Sequence, residues 1–182
     1  MKTLTALAAV VALATPAAAE VERFELSTHG DWGVSYSVDT DTNYEICMIE
    51  SSSVGESVMQ IAIDDGGDYY LKTYQYDPSA TGAPFEVIFP LKLRIRADYM
   101  DELWVLNGTT HTVGNGEINS FFSASQGPEL SGFLSDFMAG SLIAVVNTTD
   151  EQTPLSIWSL DGSTAALGAM LDCSKRITGE AL

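Results

Sequence analysis

Positive charge is scarce in this chain: eight Lys and Arg stand against 25 Asp and Glu in 182 residues, a formal charge of −17. A surface of that sign repels nucleic-acid phosphates and anionic lipid headgroups, so neither is an expected partner. Histidine is scarcer still. His29 and His111 are the whole supply, and neither stands in an H-E-x-x-H, G-x-S-x-G or Cys/His setting, so no common neutral-pH base is assembled. The expectation is a protein that is not an enzyme and holds no cofactor. After residue 20 no apolar run approaches the roughly 20 residues that cross a bilayer. Cysteine is limited to Cys47 and Cys173.

The one sustained apolar stretch, 6–14, follows Lys2 and precedes Thr15, Pro16 and Ala17-Ala18-Ala19. A basic start, a short apolar core and small residues at the end are what a signal peptidase reads. Residues 1–19 are therefore expected to be removed as a signal peptide, leaving one β-rich domain over 20–182, periplasmic or secreted, with no membrane span in the mature chain. The length suits a single domain of the usual 100 to 150 residues or so. In an oxidising compartment two cysteines are expected to bridge, whereas two buried thiols are the alternative. A Cys47–Cys173 disulfide would tie an early strand to the C-terminal segment. Closing so long a loop stabilises by on the order of 4 kcal/mol in the chain-entropy model.

Short strands and turn residues fill the rest. Trp32, Val34, Tyr36 and Val38 alternate with small residues, the turn is read at 39–43, and Tyr44, Ile46, Met48 and Val54 carry the return strand of a hairpin. Residues 58–63 and 69–76 flank Asp64-Asp65-Gly66-Gly67-Asp68, residue types that tolerate a tight reversal. A loop is read at 77–84, with strands at 85–89 and 91–95. Asn107-Gly108 predicts a further hairpin between 103–106 and 109–113, followed by a strand at 118–123. The period then changes: Leu130, Phe133, Leu134, Phe137 and Met138 recur at helical spacing between Pro128 and Gly140. Strands follow at 141–147 and 155–160. Ser163 is expected to cap a last helix with Ala166, Met170 and Cys173 on one face, and the tail from Ser174 is expected to fray. The fold class is mainly β, an antiparallel sandwich or curved sheet with two short helices in the C-terminal third.

The order of these elements resembles the invasion-associated locus B family of exported proteobacterial proteins. The resemblance rests on Gly30-Asp31-Trp32-Gly33-Val34, Cys47-Met48, Phe89-Pro90-Leu91-Lys92-Leu93, the helix before Gly140-Ser141-Leu142, and Trp158-Ser159-Leu160-Asp161-Gly162-Ser163 with Ala165-Ala166-Leu167. Members of that family often carry a cysteine where this chain has Tyr36, and a further pair near 121–125, so this would be a divergent member with its own disulfide plan. The resemblance implies a periplasmic or envelope location and a β-rich fold, and no defined reaction.

Three features invite chemistry. Asp39, Asp41, Asn43, Glu45 and Glu50 space oxygen atoms as a calcium loop does, with Glu50 twelfth from Asp39. The sixth position, however, is Tyr44 where such a loop needs glycine, and the flanks read as strands, which favours a solvated acidic hairpin edge. Lys92, Arg94 and Arg96 put basic residues on one strand face. They suit an anionic or carboxylate-bearing partner, or more simply Asp and Glu on neighbouring strands. Trp32, Trp104 and Trp158 could line a pocket, though strand tryptophans more often fill a core. The functional expectation is a non-catalytic exported protein that binds an unknown protein or envelope component. A small-molecule or calcium-binding periplasmic module is the alternative, with a hydrolase behind it.

Overall fold

The computed structural model describes residues 21–52, 57–76, 85–87, 90–97, 100–107, 109–112, 117–124, 128–146 and 152–179. The leader read at 1–19 and the loop read at 77–84 lie outside these residues, as do the side chains of Lys92 and His111. The first half is an uninterrupted meander in which each strand pairs antiparallel with the one before. It runs through β1 (Val21–His29), β2 (Trp32–Asp39), β3 (Tyr44–Ser52), β4 (Val58–Asp64) and β5 (Tyr69–Tyr76). The Asp/Gly turn between β4 and β5 forms as the sequence predicts. Gly67 takes a positive φ of 82° and donates to the Asp64 carbonyl, while the Asp64 side chain accepts the Asp68 N–H at 2.9 Å.

The second half divides between two sheets. β6 (Phe85–Val87), β9 (Thr109–Thr112) and β10 (Glu117–Ala124) extend the meander into an eight-stranded sheet ordered β1-β2-β3-β4-β5-β10-β9-β6. β7 (Pro90–Ala97), β8 (Met100–Asn107), β11 (Leu142–Val146) and β12 (Pro154–Ser159) form a four-stranded sheet ordered β12-β11-β7-β8. The hairpin expected at Asn107-Gly108 therefore does not form. β8 and β9 belong to different sheets, so the chain crosses between layers at the point where local turn chemistry suggests a reversal. The β8 partner is β7 instead.

Two helices complete the core. α1 (Pro128–Ala139) turns Phe133 and Phe137 inward: Phe137 meets Trp32 of β2 edge-on at 5.1 Å, and Phe133 meets Trp104 of β8 edge-on at 5.9 Å. One helix thus touches both sheets. Met138, expected on the same apolar face, is exposed. α2 (Ser163–Ile177) buries Ala166, Leu167, Met170 and Cys173 and packs across β1 to β4. Its start differs from expectation. The N-cap is Gly162 in the left-handed region, and the Ser163 hydroxyl reaches the Phe137 carbonyl at 3.5 Å instead of capping its own helix. Its end differs too, since Ser174 is buried and helical and its hydroxyl donates to the Leu171 carbonyl.

The interior is one apolar cluster fed by alternate residues of both sheets. On β3 the buried set is Cys47, Ile49 and Ser51. Tyr44, Ile46 and Met48, read from sequence as the apolar face of the return strand, point to the opposite side. β3 is apolar on both faces, and period 2 cannot say which face is inside. Each fully buried large side chain contributes roughly 1.5 to 3 kcal/mol of transfer free energy.

Candidate functional site

The segments that look most like motifs meet one another as a pair of interlocked turns at the surface, above the buried Trp32. Asp31 N–H donates to the Asp161 carbonyl at 3.1 Å, and the Trp32 indole N–H donates to the Ser159 carbonyl at 3.0 Å. Gly30 (φ 55°) lies so close to Asp161 that a Cβ there would sit 2.4 Å from its carbonyl oxygen. A Cβ on Gly162 (φ 83°) would sit 2.1 Å from the His29 carbonyl oxygen. The two glycine turns thus interlock, and each needs glycine for both its backbone angle and its space. Trp158 donates its indole N–H to the Ser57 carbonyl, and Trp104 donates to the Asp136 carboxylate at 3.0 Å. The tryptophans are core and core rim. His29 pairs with the Ser27 hydroxyl at 3.0 Å. The Cys47–Cys173 bridge is formed, with its Cα atoms 5.9 Å apart and 126 residues between them in sequence.

The acidic residues read as a calcium loop do not converge. Asp39 uses one carboxylate oxygen to accept the Asp41 and Thr42 N–H groups, at 3.0 and 3.1 Å, which closes the β2–β3 turn. Asn43 takes a left-handed φ of 56° in that turn. Glu45 and Glu50 differ by an odd number of positions and so lie on opposite faces of β3. Glu45 accepts the Tyr36 hydroxyl, which with burial pushes that phenol up to about 12. Glu50 accepts from Gln60 and pairs with Arg23 at 3.6 Å. Among the described residues no three of His, Cys, Asp and Glu are grouped to hold a metal ion.

Two outward sheet faces carry more apolar surface than folding requires. On the four-stranded sheet the cross-strand row Ile157, Ala144, Arg94 and Leu103 points away from the core, beside the row Ser159, Leu142, Arg96 and Asp101. Val105, Leu142, Leu155 and Ile157 are each 40 to 45 % exposed. Arg94 and Arg96 both reach the Asp101 carboxylate, at 3.1 and 3.5 Å. Those hydrogen bonds and charges, Arg94 foremost, hold that carboxyl below its ordinary range. The pairing expected with a neighbouring strand exists, yet two guanidiniums share one carboxylate, so positive charge is left over on a strongly acidic protein. A shallow recess of about 150 Å³ lies here, lined by both arginines with Leu142, Ala144, Pro154 and Ile157.

The outer face of the eight-stranded sheet holds a larger depression, about 320 Å³, over β3, β4 and β5. Ile46, Met48 and Ala62 make its floor, Tyr44 and Tyr70 one wall, and Gln60 and Lys72 the other end. Asp64 anchors the tyrosine wall by accepting both hydroxyls, from Tyr44 at 3.1 Å and Tyr70 at 2.5 Å. Burial raises the Asp64 carboxyl, but the Tyr70 hydroxyl, the Asp68 and Gly66 N–H groups and the Tyr44 hydroxyl outweigh it, and the net shift is downward. Burial and the bonds to Tyr70 and Asp64 push the Tyr44 phenol upward.

Sequence reasoning named the arginines and missed both apolar faces. The available signal was the unbroken apolar run of β11, Leu142-Ile143-Ala144-Val145-Val146, which suits a strand covered on both sides. No protein-family model, curated protein or solved structure matches this chain.

Proposed function

We propose that the chain is a non-catalytic exported protein of the periplasm or envelope that binds a protein or envelope partner, as a divergent relative of the invasion-associated locus B family. The observation that carries this reading is the outward face of β12-β11-β7-β8, where exposed Val105, Leu142, Leu155 and Ile157 surround Arg94 and Arg96. A contiguous apolar patch bearing under-neutralised guanidiniums has the make-up of a docking surface, with arginine and apolar groups at the centre. The matching partner presents apolar side chains beside a carboxylate. No helix among the described residues is long and apolar enough to cross a membrane.

Crosslinking and affinity capture of the native protein from its own compartment test this, run beside Arg94→Glu/Arg96→Glu protein whose melting is checked in parallel. The reading expects a reproducible partner that is lost on charge reversal. Retention of the same proteins by the folded variant contradicts it. The second reading, a small-molecule module, draws on the tyrosine-walled depression, whose volume reaches the lower end of ligand pockets, about 300 Å³. It is favoured if capture is blank and melting shifts only when metabolites are added.

A further inference from the structure

Among the described residues β1 is the outer edge of the eight-stranded sheet, paired with β2 on one side alone. Beside the charges of Glu22, Arg23 and Glu25 it exposes apolar side chains, with Val21, Phe24 and Leu26 each 47 to 62 % exposed. Phe24 lies on the core-side face, stacked on Tyr36 at 5.8 Å yet about half exposed, while Arg23 and Glu25 share the outer face. An edge strand of this kind is a template for a further strand. From its register and charges we infer that the added strand is β1 of a second copy, joined antiparallel about a two-fold axis through Phe24.

Symmetry narrows the choice. Two β1 strands related by an axis perpendicular to the sheet keep their faces, so residues directly opposite each other must have the same parity, and one residue must face itself. Centred on Glu22, Arg23 or Glu25, the pairing sets a charge against its own kind. Centred on Phe24, it sets Arg23 opposite Glu25 in both halves and brings the two exposed phenylalanine rings together. Opposite charges and aromatic pairs directly across strands are the favourable combinations. Arg23 is placed to take part: its side chain is 46 % exposed, and it would extend to Glu25 of the second copy a charge now paired with Glu50 at 3.6 Å and hydrogen-bonded to the Ser35 hydroxyl at 3.2 Å on the same outer face. The register break between Glu25 and Ser27 ends the straight part of the strand. Pairing is thereby confined to the first half of β1, and the contact falls short of the roughly 1,600 Å² of a standard interface. Self-association should therefore depend on concentration, with the acidic charge of the chain opposing it. The inference is independent of the partner-binding reading, which rests on the other sheet.

Single cysteines test the register in the protein as the cell accumulates it. In antiparallel pairs directly opposite Cα atoms lie about 4.5 to 5.5 Å apart, within disulfide range. Phe24→Cys should therefore give a crosslinked dimer under mild oxidation, while Val21→Cys, which would face Ser27, should give at least tenfold less. Sedimentation of the wild type should show a dimer fraction that rises with concentration, falls in Arg23→Glu, and returns in the exchanged pair Arg23→Glu/Glu25→Arg. A monomer at all concentrations, equal crosslinking at both positions, or no recovery on exchange overturns the inference.

Discussion

The interlocked turns with the core beneath them and the two outward sheet faces leave their side chains in opposite states. At the locked turns Gly30 against Asp161 and Gly162 against His29 leave no space for a Cβ, and beneath them the tryptophan N–H groups of β2 and β12 each find a carbonyl. On the outer faces, Ile157, Leu142, Ile46 and Met48 are left partly uncovered. What looks like a signature in the sequence is thus the lock between two turns and a helix. The surface that folding does not explain carries no motif. In a two-layer β protein the second kind of residue is the better guide to function, because removing it should hardly affect the fold.

That contrast can be broken most severely at the disulfide. Cys47→Ser with Cys173→Ser should lower stability by about 4 kcal/mol, read from denaturant melting. A loss below about 1 kcal/mol would mean that α2 is held to β3 without it. Gly162→Ala comes next, at about 3 kcal/mol, because the side chain adds a left-handed backbone cost to a collision with the His29 carbonyl. Gly67, also at positive φ but with nothing within 4 Å, should lose only about 1 kcal/mol on the same change.

Asp64 lies between the two regions, buried itself while holding the tyrosine wall of an outer depression. Asp64→Asn should cost about 2 kcal/mol at neutral pH, as hydrogen bonds to a charged group are lost. Because the folded carboxyl is shifted below its ordinary value, the wild-type advantage is complete above about pH 4 and fades as the pH falls through the lowered value. Melting of both proteins between neutral pH and pH 2 should show the two curves converging in acid. A constant gap would place the effect in packing instead. The smallest expected stability change is at Ile157→Ser, under about 0.5 kcal/mol, although partner retention should fall markedly.

Much of the architecture was legible because it is written locally. The alternation of β2, the Asp/Gly turn after β4 and the helical spacing from Leu130 to Phe137 all have short-range signals, and the cysteine pair, 126 residues apart, was readable from its number alone. Long-range choices were not legible. Asn107-Gly108 has the chemistry of a hairpin, yet the strands on either side join different sheets, β8 pairing with β7 and β9 with β10 and β6. β3 offers Tyr44, Ile46 and Met48 as readily as Cys47 and Ile49, and only the helix packed above it decides which set is buried. The Ser163 cap was displaced for a similar reason: Gly162 already serves the turn that docks on His29. Of the candidate site, Arg94 and Arg96 were readable from charge and alternation. Apart from Leu103 and Val105 on the adjacent β8, their apolar neighbours come from β11 and β12, roughly 50 to 60 residues away, and no local pattern joins those to β7.

The most direct test of the account is amide hydrogen exchange on the native protein, alone and with whatever its own compartment supplies in affinity capture. The account predicts added protection on β7, β11 and β12 around Arg94, Leu142 and Ile157, with α2 and the Gly30/Gly162 turns already protected and unchanged. Added protection confined to β3, β4 and β5 around the tyrosine-walled depression would contradict it.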